Sequence, residues 1–347
     1  MYKQIYNLEN LYKASYNALK GKKSKDSPAK FWFNEDKELF KMHTQLKEKR
    51  YIWGGYNSFI LNDNDIMRRI SVAPFRDRVL HHAIMQIIEP LFEKSFIYDS
   101  YANRKGKGTL NALKRARYYA NKYKYVLQLD IKKFFPSIDH KMLVMQLAKK
   151  IKCQDTMLLL EELIANSNKQ DDAYYYFKED NLFTPYELKK GIPLGNLTSQ
   201  FFGNLYLNPF DHFVKEKLCI KGYIRYVDDS LYFSNSYEEL KNIIKPIETF
   251  LDNFRLKIHP HKIKLMQTKE GFIFLGHKVF KTHFRLTSKA IRRGRKRLKK
   301  VKYSYAYGKI TTKEAKNKIF GTIGFFKMGK NSKIIDELLA QTILKRE

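Results

Sequence analysis

Two short apolar runs that end in carboxylates limit this chain more than any other feature. YVLQLDI, Tyr125 to Ile131, is aromatic and branched enough for a buried strand, and Pro136 stops it soon after, so Asp130 sits at a strand end. GYIRYVDDSLYFSNS reads as two strands, Tyr223–Val227 and Leu231–Phe233, with Asp228 and Asp229 at the bend. If these strands neighbour one another in a sheet, the three acids converge. Carboxylates that close repel, which is itself a reason to expect a metal between them. An Asp-Asp pair after a strand is also ordinary turn chemistry, so the pair alone decides nothing.

The surrounding chain alternates helical and strand-like patterns without repeats or a flexible linker. Leu8 to about Leu46 has helical spacing broken by the polar run Gly21 to Pro28, Tyr51 to Val72 reads as short strands around LNDND, and Arg76 to Phe92 returns to helical period. After the first acid, His140 to Asn166 is helical, Ser167 to Lys190 looks like a loop or small hairpin, and Phe201 to Leu218 is helical again. Tyr237 to Phe254 predicts one helix, followed by LKIHPHKIKL, the strand-like FIFLGHKVF and a helical C-terminal region.

Charge points toward a polyanion. The 347 residues carry 67 Lys or Arg against 35 Asp or Glu, a net charge of +32, and a surface that positive repels itself unless something negative covers part of it. A basic protein of an AT-rich genome would show part of the same bias. The asymmetry is greatest from Gly271 to Lys313, where 14 Lys or Arg meet no acid. Within it Ile291, Leu298, Val301 and Tyr305 form a narrow apolar stripe, so Arg292, Arg293, Arg295, Lys296, Arg297, Lys299 and Lys300 are expected on the open side of a helix, against phosphate. Cys153 and Cys219 are far apart and lack partners at metal-ligand spacing, which fits a reducing cytoplasm. His81, His82, His259 and His261 show no ligand spacing either, and no apolar stretch approaches a membrane span. Export and membrane insertion are not expected.

The order of the motifs carries a family resemblance. RRISVAPFRDRVLHHAI and SFIYDSYANRKGKGTLNALKRAR resemble the fingers motifs of bacterial reverse transcriptases, and DIKKFFPSID resembles the first palm motif. PLGNLTSQ resembles the second palm motif, YVDD the catalytic hairpin, and HPHKIKL with FLG the last palm elements, so the likeness runs from roughly Arg68 to Gly276. Within this group II intron-like family the chain is most similar to the enzymes of diversity-generating retroelements. Those have an aliphatic residue before the glycine and a glutamine after the serine, as in Leu194-Gly195 and Ser199-Gln200, where most of the family has Gln-Gly and Ser-Pro.

The resemblance implies an α+β right-hand polymerase fold: an N-terminal segment and fingers over 1–124, a palm with an antiparallel sheet over 125–286 with a fingers-side insertion at about 140–190, and a helical thumb over 287–347. It implies two-metal nucleotidyl transfer with two magnesium ions per active site, or manganese in their place, held by Asp130, Asp228, Asp229 and the Ile131 carbonyl. Phe135 matches the aromatic gate against a ribose 2′-hydroxyl, with core packing as its alternative. Arg68 and Arg69 align with the cations that hold the triphosphate, although the further lysine expected upstream is not obvious in LNDND. Leu194, Gly195 and Gln200 belong to the same nucleotide-binding region. Lys262 matches the lysine that protonates leaving pyrophosphate, with Lys264 as competitor. Phe274, Leu275 and Gly276 resemble the primer grip.

The function so implied is RNA-directed DNA synthesis from a template-repeat RNA, error-prone at template adenines, for targeted diversification of a gene. Its partners would be template RNA, cDNA, deoxynucleoside triphosphates and a pentameric basic accessory protein. A retron or phage-defence reverse transcriptase is the near alternative. An inactive RNA-binding scaffold is the alternative of a different class.

Overall fold

The two acid-bearing segments do form strands, and those strands are direct neighbours. The computed structural model describes residues 1–63, 66–167 and 173–345. Nine strands are seen among them: β1 (Asn57–Asp63), β2 (Ile66–Val72), β3 (Tyr125–Asp130), β4 (Gly222–Tyr226), β5 (Asp229–Ser234), β6 (Lys264–Gln267), β7 (Phe272–Phe274), β8 (His277–Val279) and β9 (Phe284–Leu286). β1 and β2 form a hairpin, β4-β5-β3-β6 form the central antiparallel sheet in that order, and β7-β8-β9 form a small antiparallel sheet.

Alternation along the central strands sends side chains into two different cores. Leu127 and Leu129 of β3 join Tyr223 and Tyr232 in the larger core, built mostly from helices. Val126, Ile224, Leu231 and Phe233 face the other way, against helix Thr109–Lys122 and the small sheet's Phe272 and Phe274. With a period of two, Gln128 and Asp130 share the face of Val126, and Asp229 shares the face of Leu231. The acids therefore stand on one face of the sheet, at the end of its central strands.

The larger core is held by helix Phe75–Glu93, whose Val79, Leu80, Ala83, Ile84 and Ile88 are fully buried, packed on helix Leu8–Leu19. Several expected elements are interrupted. Tyr237–Phe254 is two helices, Tyr237–Asn242 and Ile244–Asn253, because Pro246 has no N–H to bond the Asn242 carbonyl. The helical stretch near Phe201 begins earlier, at Leu197, and runs to Tyr206. It then passes through Asn208–His212 into a wider turn, Phe213–Lys217, closed by Leu218 N–H donating to the Phe213 carbonyl at 3.0 Å. In Ser167–Lys190 the regular element among the described residues is a short helix, Thr184–Glu187. Asn64 and Asp65 of the LNDND turn lie outside the described residues. No helix among the described residues is long and apolar enough to cross a membrane.

The C-terminal region is three helices, Ser288–Ala306, Thr312–Phe326 and Ser332–Ala340, around a small core of their own. Thr287 caps the first by accepting from Ala290 N–H, and Thr311 with Glu314 forms a capping box at the second. The buried stripe of the first helix is Ala290, Gly294, Leu298 and Val301, with Ile291 and Tyr305 only half-buried. Pattern reading shifts it because glycine carries no apolar side chain to mark a contact. Gly294 is the tightest point, where a β-carbon would stand 2.2 Å from Cζ of the buried Phe326.

A buried ion pair fixes where β4 turns into β5. Arg225 Nε and Nη2 donate to the two carboxylate oxygens of Asp211 at 2.7 and 2.6 Å, and both residues are essentially inaccessible. Tyr223 donates to the same Asp211 at 2.8 Å, while Arg225 Nη1 reaches the Asn204 side chain and the Val227 carbonyl at 3.2 and 3.1 Å. Arg225 Nη2 also donates to Ser100 Oγ at 3.3 Å, and the Arg225 carbonyl accepts from Tyr101 N–H at 3.0 Å. One guanidinium thus ties β4 to a helix, to the 99–101 segment and to the acid-bearing turn.

Two stability outcomes follow from this packing. Gly294→Ala should lower the urea midpoint, because overpacking costs about 1–3 kcal/mol and exceeds the roughly 1 kcal/mol that alanine gains in a helix. A raised midpoint would show that Phe326 can move aside. Arg225→Met should cost about 3–5 kcal/mol by leaving Asp211 buried and unpaired, and adding Asp211→Leu should recover much of that loss. Additive losses in the double variant would mean that the two side chains act independently.

Candidate active site

The register of the central sheet sets Asp130 directly opposite Asp229 on adjacent antiparallel strands. Asp229 is thus the first residue of β5, where the sequence had suggested a bend, and the two-residue loop is Val227-Asp228. Val227 is left-handed at φ 59°, a costly conformation for a β-branched residue, on the order of 1–3 kcal/mol. The Arg225 bond to its carbonyl opposes that strain. The loop is pinned again where Ile131 N–H donates to the Asp228 carbonyl at 3.3 Å.

Each of the two paired acids is met by a donor. Lys262 Nζ donates to Asp130 Oδ1 at 2.9 Å, and Gln128 Nε2 donates to Asp229 Oδ1 at 3.1 Å. The β3 end is held from the other side as well, by His259 N–H donating to the Asp130 carbonyl and Lys132 N–H to the Lys257 carbonyl, each at 2.8 Å. Burial, with Asp228 and Asp130 nearby, pushes the Asp229 carboxyl up to about 7, against the pull of Gln128 and Lys262. Lys264 starts β6 opposite Gln128.

The donors suit a hard divalent cation, since all three side chains offer only carboxylate oxygen. Burial is the main cause of the raised Asp229 carboxyl, and the neighbouring Asp228 and Asp130 add to it. Among the described residues no three acidic, imidazole or thiol groups already converge at ligand distance. Asp130 is turned instead to the Lys262 ammonium. Asp130, Asp228 and Asp229 are the residues that would hold a metal here, while the side chain of Ile131, next after Asp130, is buried in the larger core.

A loop brings the expected nucleotide-side residues together. Ile192 N–H donates to the Phe135 carbonyl at 3.1 Å, and Ser71 N–H of β2 donates to the Leu194 carbonyl at 3.2 Å. Asn196 continues the zip, accepting from Ala73 N–H at 3.5 Å and donating to the Ser71 carbonyl at 3.2 Å. Gly195, at φ 109°, lies so close to β2 that a β-carbon would stand 3.2 Å from Ile70 Cγ2. Arg69 is exposed on that strand opposite Ile60, whereas the Arg68 side chain lies outside what the structure describes. Phe135 is half-buried against Phe134 and close to Gly203, Leu194 is half-buried, and Gln200 is exposed on its helix.

The remaining expected residues lie farther along. Phe274 is buried, and Leu275-Gly276 form a two-residue turn with φ 47° and 78°, the pattern of a type I′ hairpin. Gly276 rests near Phe325, and its carbonyl accepts from Thr287 N–H at 3.1 Å, which fastens this turn to the C-terminal helices. Arg292, Arg293, Arg295, Lys296, Arg297, Lys299 and Lys300 are all exposed on helix Ser288–Ala306, with Arg295 paired to Glu337 at 2.7 Å. His81 is a core residue whose ring burial pushes down to about 3.

Sequence reading overlooked Gln128 and the Arg225–Asp211 pair, whereas Asn196 stood within the PLGNLTSQ motif. A signal existed for two of them: Gln128 and Arg225 are each the lone strongly polar residue inside an apolar strand, YVLQLD and GYIRY. Polar groups in such places need partners. Asp211 had no comparable mark.

Residues 60–279 match the family described as reverse transcriptase (RNA-dependent DNA polymerase). Protein YkfC of Escherichia coli is 21% identical over 265 residues, covering 65% of this chain and 67% of its own. The group II intron-encoded protein LtrA of Lactococcus lactis is 25% identical over 148 residues, covering 43% of this chain and only 23% of LtrA. Among solved structures, telomerase from Candida tropicalis in complex with a fragment of telomeric RNA superposes with a TM-score of 0.53 at 11% identity, over 84% of this chain and 55% of that one. Apo telomerase from the same organism gives 0.52 at 11%, over 84% and 59%. The fold is thus that of the right-hand polymerases, and the chain spans a little over half of these structures. With the family match covering more than half of its length, the chain belongs to the reverse transcriptase family.

Proposed function

We propose that this chain is an RNA-directed DNA polymerase that copies a template RNA into cDNA by two-metal nucleotidyl transfer. The observation that carries the reading is the pairing of Asp130 with Asp229 at one sheet end, beside the Val227-Asp228 turn. Two magnesium ions held by Asp130, Asp228 and Asp229 would supply an activated primer 3′-hydroxyl and charge neutralisation on the triphosphate. The protein's own share is positional. Gln128 orients Asp229, and Lys262, within 2.9 Å of Asp130, is near enough to the same site to give its proton to departing pyrophosphate. Phe135 and Leu194 flank the new pair, while Arg69 and Arg68 lie on the strand zipped to the Leu194 loop and are read as triphosphate contacts. The turn at Leu275-Gly276 is read as the primer grip, and the exposed cations of helix Ser288–Ala306 as contacts to the duplex backbone.

The finer reading is a diversity-generating enzyme of low fidelity, acting in the cytoplasm on a template-repeat RNA with a pentameric basic accessory protein. Its support is Leu194 followed by Gly195, with Gln200 after Ser199. A leucine cannot make the polar contacts that a glutamine there would make to the incoming pair, so geometric checking weakens.

Asp228→Asn with Asp229→Asn should abolish magnesium-dependent cDNA synthesis while sparing RNA binding; retained synthesis would overturn the catalytic assignment. Leu194→Gln should lower the error rate in sequenced primer-extension products, most at template adenines. An unchanged error spectrum would remove Leu194 as the cause.

A further inference from the structure

The outward face of the small sheet carries a second cluster of cations, beside the first turn of helix Ser288–Ala306. Ile273, Lys278 and Arg285 lie in one row across β7, β8 and β9, because Ile273 pairs with Lys278 and Lys278 with Arg285. Their neighbours in sequence, Phe272, Phe274, Val279, Phe284 and Leu286, point into the core, so this row points out. It lines an open cavity of about 920 Å³ whose far wall includes Lys330 and Lys333.

That wall is built onto the sheet. Lys330 N–H donates to the Phe284 carbonyl and Leu286 N–H donates to Asn331 Oδ1, each at 3.0 Å, and the buried Asn331 also donates to the Phe326 carbonyl at 2.8 Å. Gly329 lies so close to β9 that a β-carbon would stand 2.6 Å from the Phe284 carbonyl oxygen. The four cations are therefore held around one space by fixed backbone.

Like charges directly opposite on adjacent strands destabilise a sheet, yet Lys278 and Arg285 face each other in register. No acid lines the cavity, and none of the four cations takes part in an ion pair among the described residues. Lys278 and Arg285 instead sit over the Phe280 ring, each 5.2 Å from its centre. A preformed cation cluster with no counter-charge fits a polyanion.

We infer that this cavity is a binding cradle for the phosphodiester backbone of single-stranded RNA, with Lys278, Arg285, Lys330 and Lys333 as the phosphate contacts. The apolar Ile273, Ile291 and Ile334 of its lining suit the ribose and base faces of such a strand. The inference takes its ligand class from the reverse-transcriptase reading, but it concerns binding alone.

The test uses the full chain and a short fluorescent homopolymeric RNA, with affinity measured by anisotropy over a range of salt and without nucleotides, so failure of polymerisation cannot mimic failure of the cradle. One variant replaces Lys278, Arg285, Lys330 and Lys333 with Gln. A charge-matched control replaces the exposed Lys3, Lys13, Lys37 and Lys41 of the N-terminal helices with Gln. Losing four phosphate contacts to a single strand should reduce the slope of log K against log salt by about 3. The control should lose less than half of that. Equal losses would reduce the effect to bulk charge, and an unchanged slope in the cradle variant would show that RNA does not occupy it; either result overturns the inference. Thermal melts of both variants establish that each is folded.

Discussion

Holding like charge together is the constraint on which this structure turns. Asp130 and Asp229 face each other across two strands with Asp228 beside them, and nothing in the acids themselves favours that arrangement. It persists because the strands that carry them are buried on both faces, so neither can slip by a residue without turning Leu127, Leu129 and Leu231 out of their cores. The turn is restrained separately. Arg225 bonds the Val227 carbonyl from below and Ile131 bonds the Asp228 carbonyl from the side. Preorganisation of this kind is what electrostatic catalysis requires, since groups already fixed have little reorganisation left to undergo.

The same logic extends outward from the acids. The loop that carries Leu194 and Gly195 is bonded at one end to the Phe135 segment and at the other to β2, so a strand remote in sequence is tied to the segment that follows β3. The Leu275-Gly276 turn is likewise tied through Thr287 to the first C-terminal helix. Backbone hydrogen bonds, which are strongly directional, set these distances while side chains are left free for a ligand.

Local pattern made much of this visible. β3 and the β4–β5 hairpin are legible because apolar runs with period two and a terminal acid have few other uses, and the exposed basic face of helix Ser288–Ala306 is legible because acids are absent there. The misread boundaries share a cause: the deciding contact is invisible in local pattern. Pro246 splits a helix through a missing bond, Gly294 is a packing residue without a side chain, and Asp229 leaves the bend for a strand because pairing with Tyr226 and Asp130 wins over turn chemistry.

What the sequence determined by itself is the list of elements, the acids at their ends and the order of motifs, since each depends on residues near one another in the chain. Which acids stand opposite, which lysine reaches Asp130, and that Asp211 lies beneath the turn were settled only by the tertiary structure. Those facts join residues 14 to 132 positions apart, and only the packing of both cores against one sheet brings them within hydrogen-bonding range.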